Sequence, residues 1–318
     1  MKLTKHIAKR GGKTLFSFEL LPPLKGENFE GISQAIDPLI EFNPISIDVT
    51  YHREEIVYKE RGNGLLERRT VRKRPGTVGI SAAIKFKYNI DVVPHIICGG
   101  FTREETENAL IDLYFLGIDN ILLIRGDNPA GEKVFRPEPE GNRYALDLVN
   151  QAVNMNRGIY LEEGIINANP TGFCIGVAGY PEKHAEAPNM AADIAHLKAK
   201  IDAGAEYIVT QMFFDNAAFF RFEKACRAAG ITVPVIPGIK PLSTFSQLST
   251  LPKTFSIDLP ESLVSEAEKC RNKEQIRDLG VEWAIAQSKE LIKHGVPVLH
   301  FYTMGKSDNI QRIAKAVF

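Results

Sequence analysis

The chain has 318 residues, of which 44% are hydrophobic and 25% charged, with 39 Lys plus Arg against 39 Asp plus Glu. That composition supports a sizeable core and excludes a disordered chain. A zero formal net charge leaves no global field to hold a nucleic-acid backbone or an anionic membrane, so a small, locally bound ligand suits it better.

At the N-terminus, MKLTKHIAKRGGKT is basic but has none of the continuous apolar stretch of a signal peptide. It reads as an amphipathic helix closing one end of the fold. No later segment approaches the ~18 apolar residues of a membrane span, and the expected location is the cytoplasm. Cys98, Cys174, Cys226 and Cys270 form no CxxC pair and lack the dense spacing of a disulfide scaffold, so they read as buried free thiols.

Eight short apolar runs follow in order: LFSFEL at 15–20, ISIDVTY at 45–51, VVPHIIC at 92–98, NILLIRG at 120–126, FCIGVAGY at 173–180, YIVTQMFF at 207–214, VPVIPGI at 233–239 and VPVLHFYT at 296–303. Several are nearly continuously hydrophobic, as strands of a parallel sheet covered on both faces must be. Helical punctuation separates them. Thr102 caps TREETENALIDLYFLG with Glu105 three residues on and Gly117 at its end, and the helical stretches 193–204, 216–230 and 272–295 also close on glycine. Eight such units can close on themselves, whereas a doubly wound sheet would need edge strands that this sequence does not advertise. The expectation is an α/β fold, a single (β/α)₈ TIM barrel over residues 1–318. It carries an N-terminal helical extension and insertions at 1–13, 52–79, 155–172 and 251–280, with no linker marking a second domain.

In such a barrel, chemistry belongs at the C-terminal ends of the strands. Those ends supply Glu19, Thr50, His95, Arg125 with Asp127, Tyr180 with His184, Gln211, the PGIKP turn, and Tyr302 with Lys306. Each has a structural alternative. Glu19 is either an outward-facing surface residue or, flanked by Phe18 and by Leu20, Leu21, Pro22 and Pro23, a buried carboxyl whose raised pKa suits a general acid near neutral pH. His95, taken alone after Pro94, reads as a satisfied core histidine. Arg125, Gly126 and Asp127 read equally as an ion pair at a turn or as a place where glycine lets a ligand approach the backbone.

The segment AGYPEKHAEAPN at 178–189 places Tyr180, Glu182, His184 and Glu186 within seven residues. Without an HExxH spacing or a second His cluster it reads as a polar loop over a cofactor, opening into a helix with Asp193 and Lys200, rather than as a metal site. Residues 53–74 hold eight basic against four acidic side chains; they form either a solvated hairpin or, through Arg72 and Lys73, an attractor for a phosphate or polyglutamate tail. No GxGxxG follows a strand and neither GxxxxGK[ST] nor G-x-S-x-G occurs. A nicotinamide would therefore bind without a Rossmann fingerprint, and nucleophilic hydrolysis drops down the order.

Taken together and in order, FSFELLPP, VTY, PHIIC, LLIRGD, AGYPEKHAEA, DAGAEYIVTQMFFD, IPGIKP and HFYTM resemble the methylenetetrahydrofolate reductase family over residues 15–305, in its bacterial form with the catalytic barrel alone. The resemblance implies a homo-oligomeric enzyme of one-carbon metabolism that holds FAD, takes hydride from NADH or NADPH and releases the nicotinamide. It then reduces 5,10-methylenetetrahydrofolate to 5-methyltetrahydrofolate in a ping-pong sequence that feeds methionine synthesis.

By the same resemblance Glu19 is the general acid that protonates the folate N10. Asp127 sits by flavin and pterin, stabilises the cationic iminium and makes the reduced flavin a stronger hydride donor. Gln211 and Gln247 hydrogen-bond the folate, with Tyr302 and Lys306 toward its glutamate portion. FAD is contacted by Thr50, Tyr51, His95, Arg125, Gly126, Asp127, Tyr144, Ala145, Tyr180, His184, Ala187, Asp193, His196 and Lys200, and no metal is implied. Three departures stand out. HREEIVYKERGNG follows VTY where the family commonly has a small glycine-rich loop, and Ala199 stands where a basic residue is often found. Lys306 occupies a usual arginine position, where lysine pairs with a carboxylate without the bidentate fork. Two other readings stay open: a flavin-free pterin-binding barrel that passes a methyl group to a corrinoid protein, and an inactive barrel scaffold, against which the joint presence of Glu19, Asp127 and Gln211 argues.

Overall fold

The structure, a computed structural model, describes residues 1–128 and 134–318. It begins with α1 (Leu3–Ala8), β1 (Leu15–Leu20), α2 (Phe29–Ile36), a 3-10 turn (Asp37–Phe42), β2 (Ser46–Val49), β3 (Glu55–Arg61) and β4 (Leu65–Val71). There follow α3 (Thr77–Tyr88), β5 (Val92–Ile97), α4 (Arg103–Phe115), β6 (Asn120–Ile124), α5 (Ala145–Asn156), β7 (Cys174–Gly179), α6 (Met190–Ala203), β8 (Tyr207–Thr210) and α7 (Asn216–Ala228). The last part holds β9 (Val235–Ile236), β10 (Gly238–Ile239), α8 (Gln247–Phe255), α9 (Glu261–Lys269), α10 (Lys273–His294), β11 (Val298–Tyr302) and α11 (Asp308–Val317).

Nine strand segments run parallel in the order β10-β11-β1-β2-β5-β6-β7-β8-β9. The first and last segments are two halves of one run broken at Pro237, which has no N–H to give a ladder. Its carbonyl instead accepts from His300 N at 3.1 Å, while Gly238 N donates to Thr210 Oγ1 at 3.0 Å. Because both edges of the sheet belong to this one run, the barrel closes with the expected eight strands.

Strand ends differ from the sequence reading where other bonds compete. The run expected to continue to 214 leaves the sheet after Thr210, because the carbonyls of Phe213 and Phe214 accept from Gln287 Nε2 at 2.9 Å and Trp283 Nε1 at 3.0 Å on α10. Thr102 forms the expected capping box with Glu105 at the start of α4, and Asn189, Asp215 and Asn272 cap α6, α7 and α10. Residues 52–79 hold the antiparallel β3–β4 hairpin, solvated along nearly its whole length. The 251–280 insertion is helical, made of the end of α8, all of α9 and the start of α10.

Two apolar layers hold the barrel. Outward-facing strand residues such as Phe16, Ile47, Leu123, Val177, Ile208 and Leu299 pack under the helices. Inward-facing Val93, Leu122, Cys174, Tyr207, Val209, Ile236 and Val298 fill the lower lumen together with Leu3 from α1. Leu3 N donates to Asn120 Oδ1 at 2.7 Å and Asn120 Nδ2 donates to the Met1 carbonyl at 3.0 Å, which seats α1 across the bottom. Gly176 makes room for this packing, since a Cβ there would lie 2.2 Å from the Tyr207 ring. Among the described residues no helix is long and apolar enough to cross a membrane.

Candidate active site

Above the apolar floor the inward positions turn polar. Glu19 of β1 is in register with Asp48 of β2 on one side and Tyr302 of β11 on the other, and His95 rises from β5 beside them. The His95 Nε2 lies 3.5 Å from Asp48 Oδ2 and 4.0 Å from Glu19 Oε2. One level lower, Ser17 Oγ and His300 Nδ1 are 2.9 Å apart. Tyr302 OH donates to the Thr210 carbonyl at 2.6 Å, and Thr303 Oγ1 donates to the Glu19 carbonyl at 2.7 Å, so the backbone of the acid is fixed from a neighbouring strand end.

Burial dominates the electrostatics. It raises Glu19 to about 7, with His95 and Lys240 pulling down and Asp48 pushing up. The Glu19 side chain keeps 15% of its surface, so it is enclosed yet reachable, the environment that gives a carboxyl its proton at neutral pH. Burial pulls His95 down, but the Asp48 hydrogen bond and the Glu19 and Asp48 charges outweigh it and leave the imidazole raised. The Tyr302 phenol is pushed up by burial and by Glu19 and Asp48, so it stays neutral.

Around the rim, β6 ends in the Arg125–Gly126–Asp127 turn, with Gly126 at a φ of 84° that favours glycine. The ion-pair reading of this turn is realised through a different partner: Arg125 makes a bidentate pair with Glu186, at 2.5 and 2.9 Å. Asp127 is exposed and its charge acts on both His52 and Tyr180. Tyr180 meets His184 edge to face at a ring separation of 4.7 Å, and His184 N donates to Asp193 Oδ2 at 2.9 Å. Lys200 donates to the Ala178 carbonyl at 3.0 Å, and burial lowers it to about 8 against the opposing charge of Asp193. Ala187 is buried, and its carbonyl accepts from Lys183 Nζ at 2.6 Å.

The remaining expected residues spread wider. Thr50 N donates to the Leu20 carbonyl at 3.2 Å, and Tyr51 meets Phe101 at a tilt with ring centroids 4.9 Å apart. Tyr144 and Ala145 open α5, the Tyr144 N–H held by Asp147 at 2.9 Å, and His196 is exposed on α6. Gln211 accepts from the Met212 N–H at 2.9 Å and Gln247 from the Ser243 N–H at 2.7 Å, so both side-chain oxygens already serve loop geometry. Lys306 lines a cleft of about 860 Å³ together with Leu20, Pro22, Arg74 and Asp308; the cleft lies beside the barrel lumen and does not include Glu19.

Sequence reasoning missed Ser17, Asp48, Lys240 and His300, all buried. The signal was present for Ser17 and Asp48. In ISIDV and LFSFEL the polar residues alternate with apolar ones, and a polar period of two in a strand whose outer face is covered by helices marks the lumen side.

A family model described as methylenetetrahydrofolate reductase matches residues 2–317. The chain is 32% identical over 307 residues to 5,10-methylenetetrahydrofolate reductase of Salmonella typhimurium, covering 96% of this chain and 91% of that protein. It is 31% identical over 303 residues to methylenetetrahydrofolate reductase (NADH) 1 of Arabidopsis thaliana, covering 92% of this chain and 46% of that protein, so it spans a little under half the length of the plant relative. Among solved structures, an uncharacterized protein from Clostridium thermocellum that binds two copies of 5-methyl-5,6,7,8-tetrahydrofolic acid superposes with a TM-score of 0.58 at 15% identity, covering 99% of this chain and 97% of that one. That likeness is one of fold.

Proposed function

The chain belongs to the methylenetetrahydrofolate reductase family, and from that premise we propose that it reduces 5,10-methylenetetrahydrofolate to 5-methyltetrahydrofolate, with FAD as bound cofactor and NADH or NADPH as donor. Donor and folate take turns at one site in a ping-pong sequence, and a cytoplasmic homo-oligomer belongs to the same reading. The observation that carries it is Glu19: a carboxyl held near pH 7 by burial, in register with Asp48 and Tyr302, at the level where the lumen opens.

The rim residues fit a flavin dinucleotide. Asn128 Oδ1, next to Asp127, is buried with no hydrogen-bond partner among the described residues, an acceptor left for a ligand donor. Gly126 brings backbone to the rim without a side chain, and Arg125 and Lys200 are cations suited to a pyrophosphate. When bound, FAD supplies the hydride that the methylene carbon receives.

The chain's own residues handle the proton. Glu19 gives its proton to the folate N10 as the carbon–nitrogen bond breaks and its electron pair returns to nitrogen, which opens the five-membered ring. Asp127 supplies negative charge where the substrate turns cationic. Thr303 and the Asp48–His95 pair hold the acid in place, and neutral Tyr302 stands in register beside it.

Anaerobic stopped-flow on the purified protein tests this reading. The expected preparation is yellow; NADH or NADPH bleaches it and methylenetetrahydrofolate restores the colour. A folded preparation that takes up no FAD, or whose reduced flavin the folate leaves untouched, removes the reading. Methyl transfer to a corrinoid acceptor without flavin would put the barrel methyltransferase in its place.

A further inference from the structure

Lys240 follows β10 and is 5% exposed, although a buried ammonium is costly unless something offsets it. Its direction follows from register. Gly238 pairs with His300 and Ile239 with Phe301; His300 points into the lumen, where it meets Ser17, and Ile239 points out into the helix-side core. The next residue, Lys240, therefore points inward at the level of Tyr302, which is itself in register with Glu19. A Cβ on Gly238 would lie 2.6 Å from Tyr302, so glycine there lets the tyrosine ring lie against the strand just below the lysine. No hydrogen bond or ion pair to Lys240 forms among the described residues, and the one carboxylate whose charge acts on it is that of Glu19.

We propose that Lys240 is a positioning residue for proton delivery, its ammonium facing Glu19 across Tyr302 to stabilise the carboxylate that remains once Glu19 has given up its proton. The inference rests on the reading of Glu19 as the proton donor. When the Glu19 O–H bond breaks, the proton leaves with the departing nitrogen and a negative charge stays behind on a largely buried side chain. The groups facing that charge are Asp48 from β2, His95 from β5, Tyr302 from β11 and Lys240 after β10. Asp48 opposes the charge and Tyr302 is neutral. The compensating cations are His95, shared with Asp48, and Lys240, which is shared with nothing else among the described residues. Burial keeps the acid protonated at rest against the pull of Lys240, and Lys240 lets it release its proton without stranding a lone buried anion.

The test reads Glu19 directly by infrared titration of the substrate-free protein, with the carboxyl band assigned by its loss in Glu19→Gln. Lys240→Met is expected to move the Glu19 midpoint upward by about one pH unit, and Lys240→Arg, which keeps the charge, to leave it near the wild-type value. In stopped-flow, Lys240→Met is expected to slow the folate half-reaction by about three- to tenfold at low pH and to carry its alkaline limb upward with the midpoint. Flavin reduction by the nicotinamide keeps its pH profile. A Glu19 midpoint that does not move in Lys240→Met, or that moves as far in Lys240→Arg, overturns the inference. If the midpoint moves as expected while the wild-type protein reduces no methylene-bearing folate, it is the proposed function that fails and the Lys240–Glu19 coupling that stands.

Discussion

Asp48 and His95 pair across adjacent strands with 3.5 Å between Oδ2 and Nε2, both almost wholly out of solvent. Burial alone would pull the imidazole below 6.5, and the Asp48 hydrogen bond, with the charges of Glu19 and Asp48, raises it above that value. Asp48→Asn is therefore expected to drop the His95 midpoint below 6.5, because burial then meets less opposition. Imidazole nitrogen shifts followed by NMR across pH 5 to 9 check this, and an unmoved midpoint would assign the raised value to Glu19 instead. The linkage has a definite sign. A histidine raised in the folded state stabilises the fold fully below 6.5, and that contribution fades as pH rises through its folded value. The pH dependence of unfolding should flatten in that window in the variant.

Glu19→Gln separates chemistry from binding. NADH or NADPH oxidation by an artificial acceptor is expected to continue, while folate reduction slows by roughly 10²–10⁴-fold, the usual worth of general acid catalysis. Equal loss of both half-reactions would rule out the acid role. The same variant has a stability signature. Glu19 moves from 4.5 to about 7 on folding, so the folded state holds a proton that the unfolded chain has released, and wild-type stability falls as pH rises from about 4.5 through 7. Urea denaturation at pH 5 and pH 8 should show that fall, on the order of 2–3 kcal/mol, and Glu19→Gln should lose this share while the contribution of His95 remains.

Glu186 neutralises Arg125 at the rim. Because Glu186 is half exposed, the pair contributes at most about 1 kcal/mol to folding. Glu186→Gln should leave thermal stability nearly unchanged and tighten FAD several-fold, since the guanidinium is then free for a phosphate. Equilibrium flavin titration decides, and weaker binding would show that Glu186 itself assists the cofactor.

The barrel was legible because closed parallel strands are covered on both sides and read as apolar runs, and because the Thr102 and Asn272 caps mark helix starts chemically. The break at Pro237 was also written in the chain, but its effect was not: only the bonds from His300 and Gly238 show that the broken strand closes the sheet. The burial of the Glu19 carboxyl was legible from its apolar flanks. Lys240 was legible only as part of the PGIKP turn at a strand end, and register with β11 is what turns its side chain inward. Arg125 read equally as a partner of its neighbour Asp127 or as part of a turn a ligand approaches, and its pairing with Glu186, 61 residues away, lay beyond any local pattern.

Two glycines should resist substitution for packing reasons. A Cβ on Gly280 of α10 would lie 1.8 Å from the Leu242 carbonyl oxygen, and on Gly176 it would lie 2.2 Å from the Tyr207 ring. Backbone yields less readily than a ring, so Gly280→Ala should cost at or above the upper end of roughly 1–3 kcal/mol and Gly176→Ala less. Chemical denaturation midpoints rank the two, and the reverse order would mean that α10 shifts more easily than the lumen packing.

Leu3 and Asn120 seat α1 across the bottom of the barrel, which stops the lumen at that end and leaves an entrance at the C-terminal ends of the strands. Whatever lies over that entrance also controls the traffic of water to Glu19. On the proposed mechanism, Glu19 would recover its proton from bulk solvent only when the occupant leaves, so departure of the product and recharging of the acid would become one event.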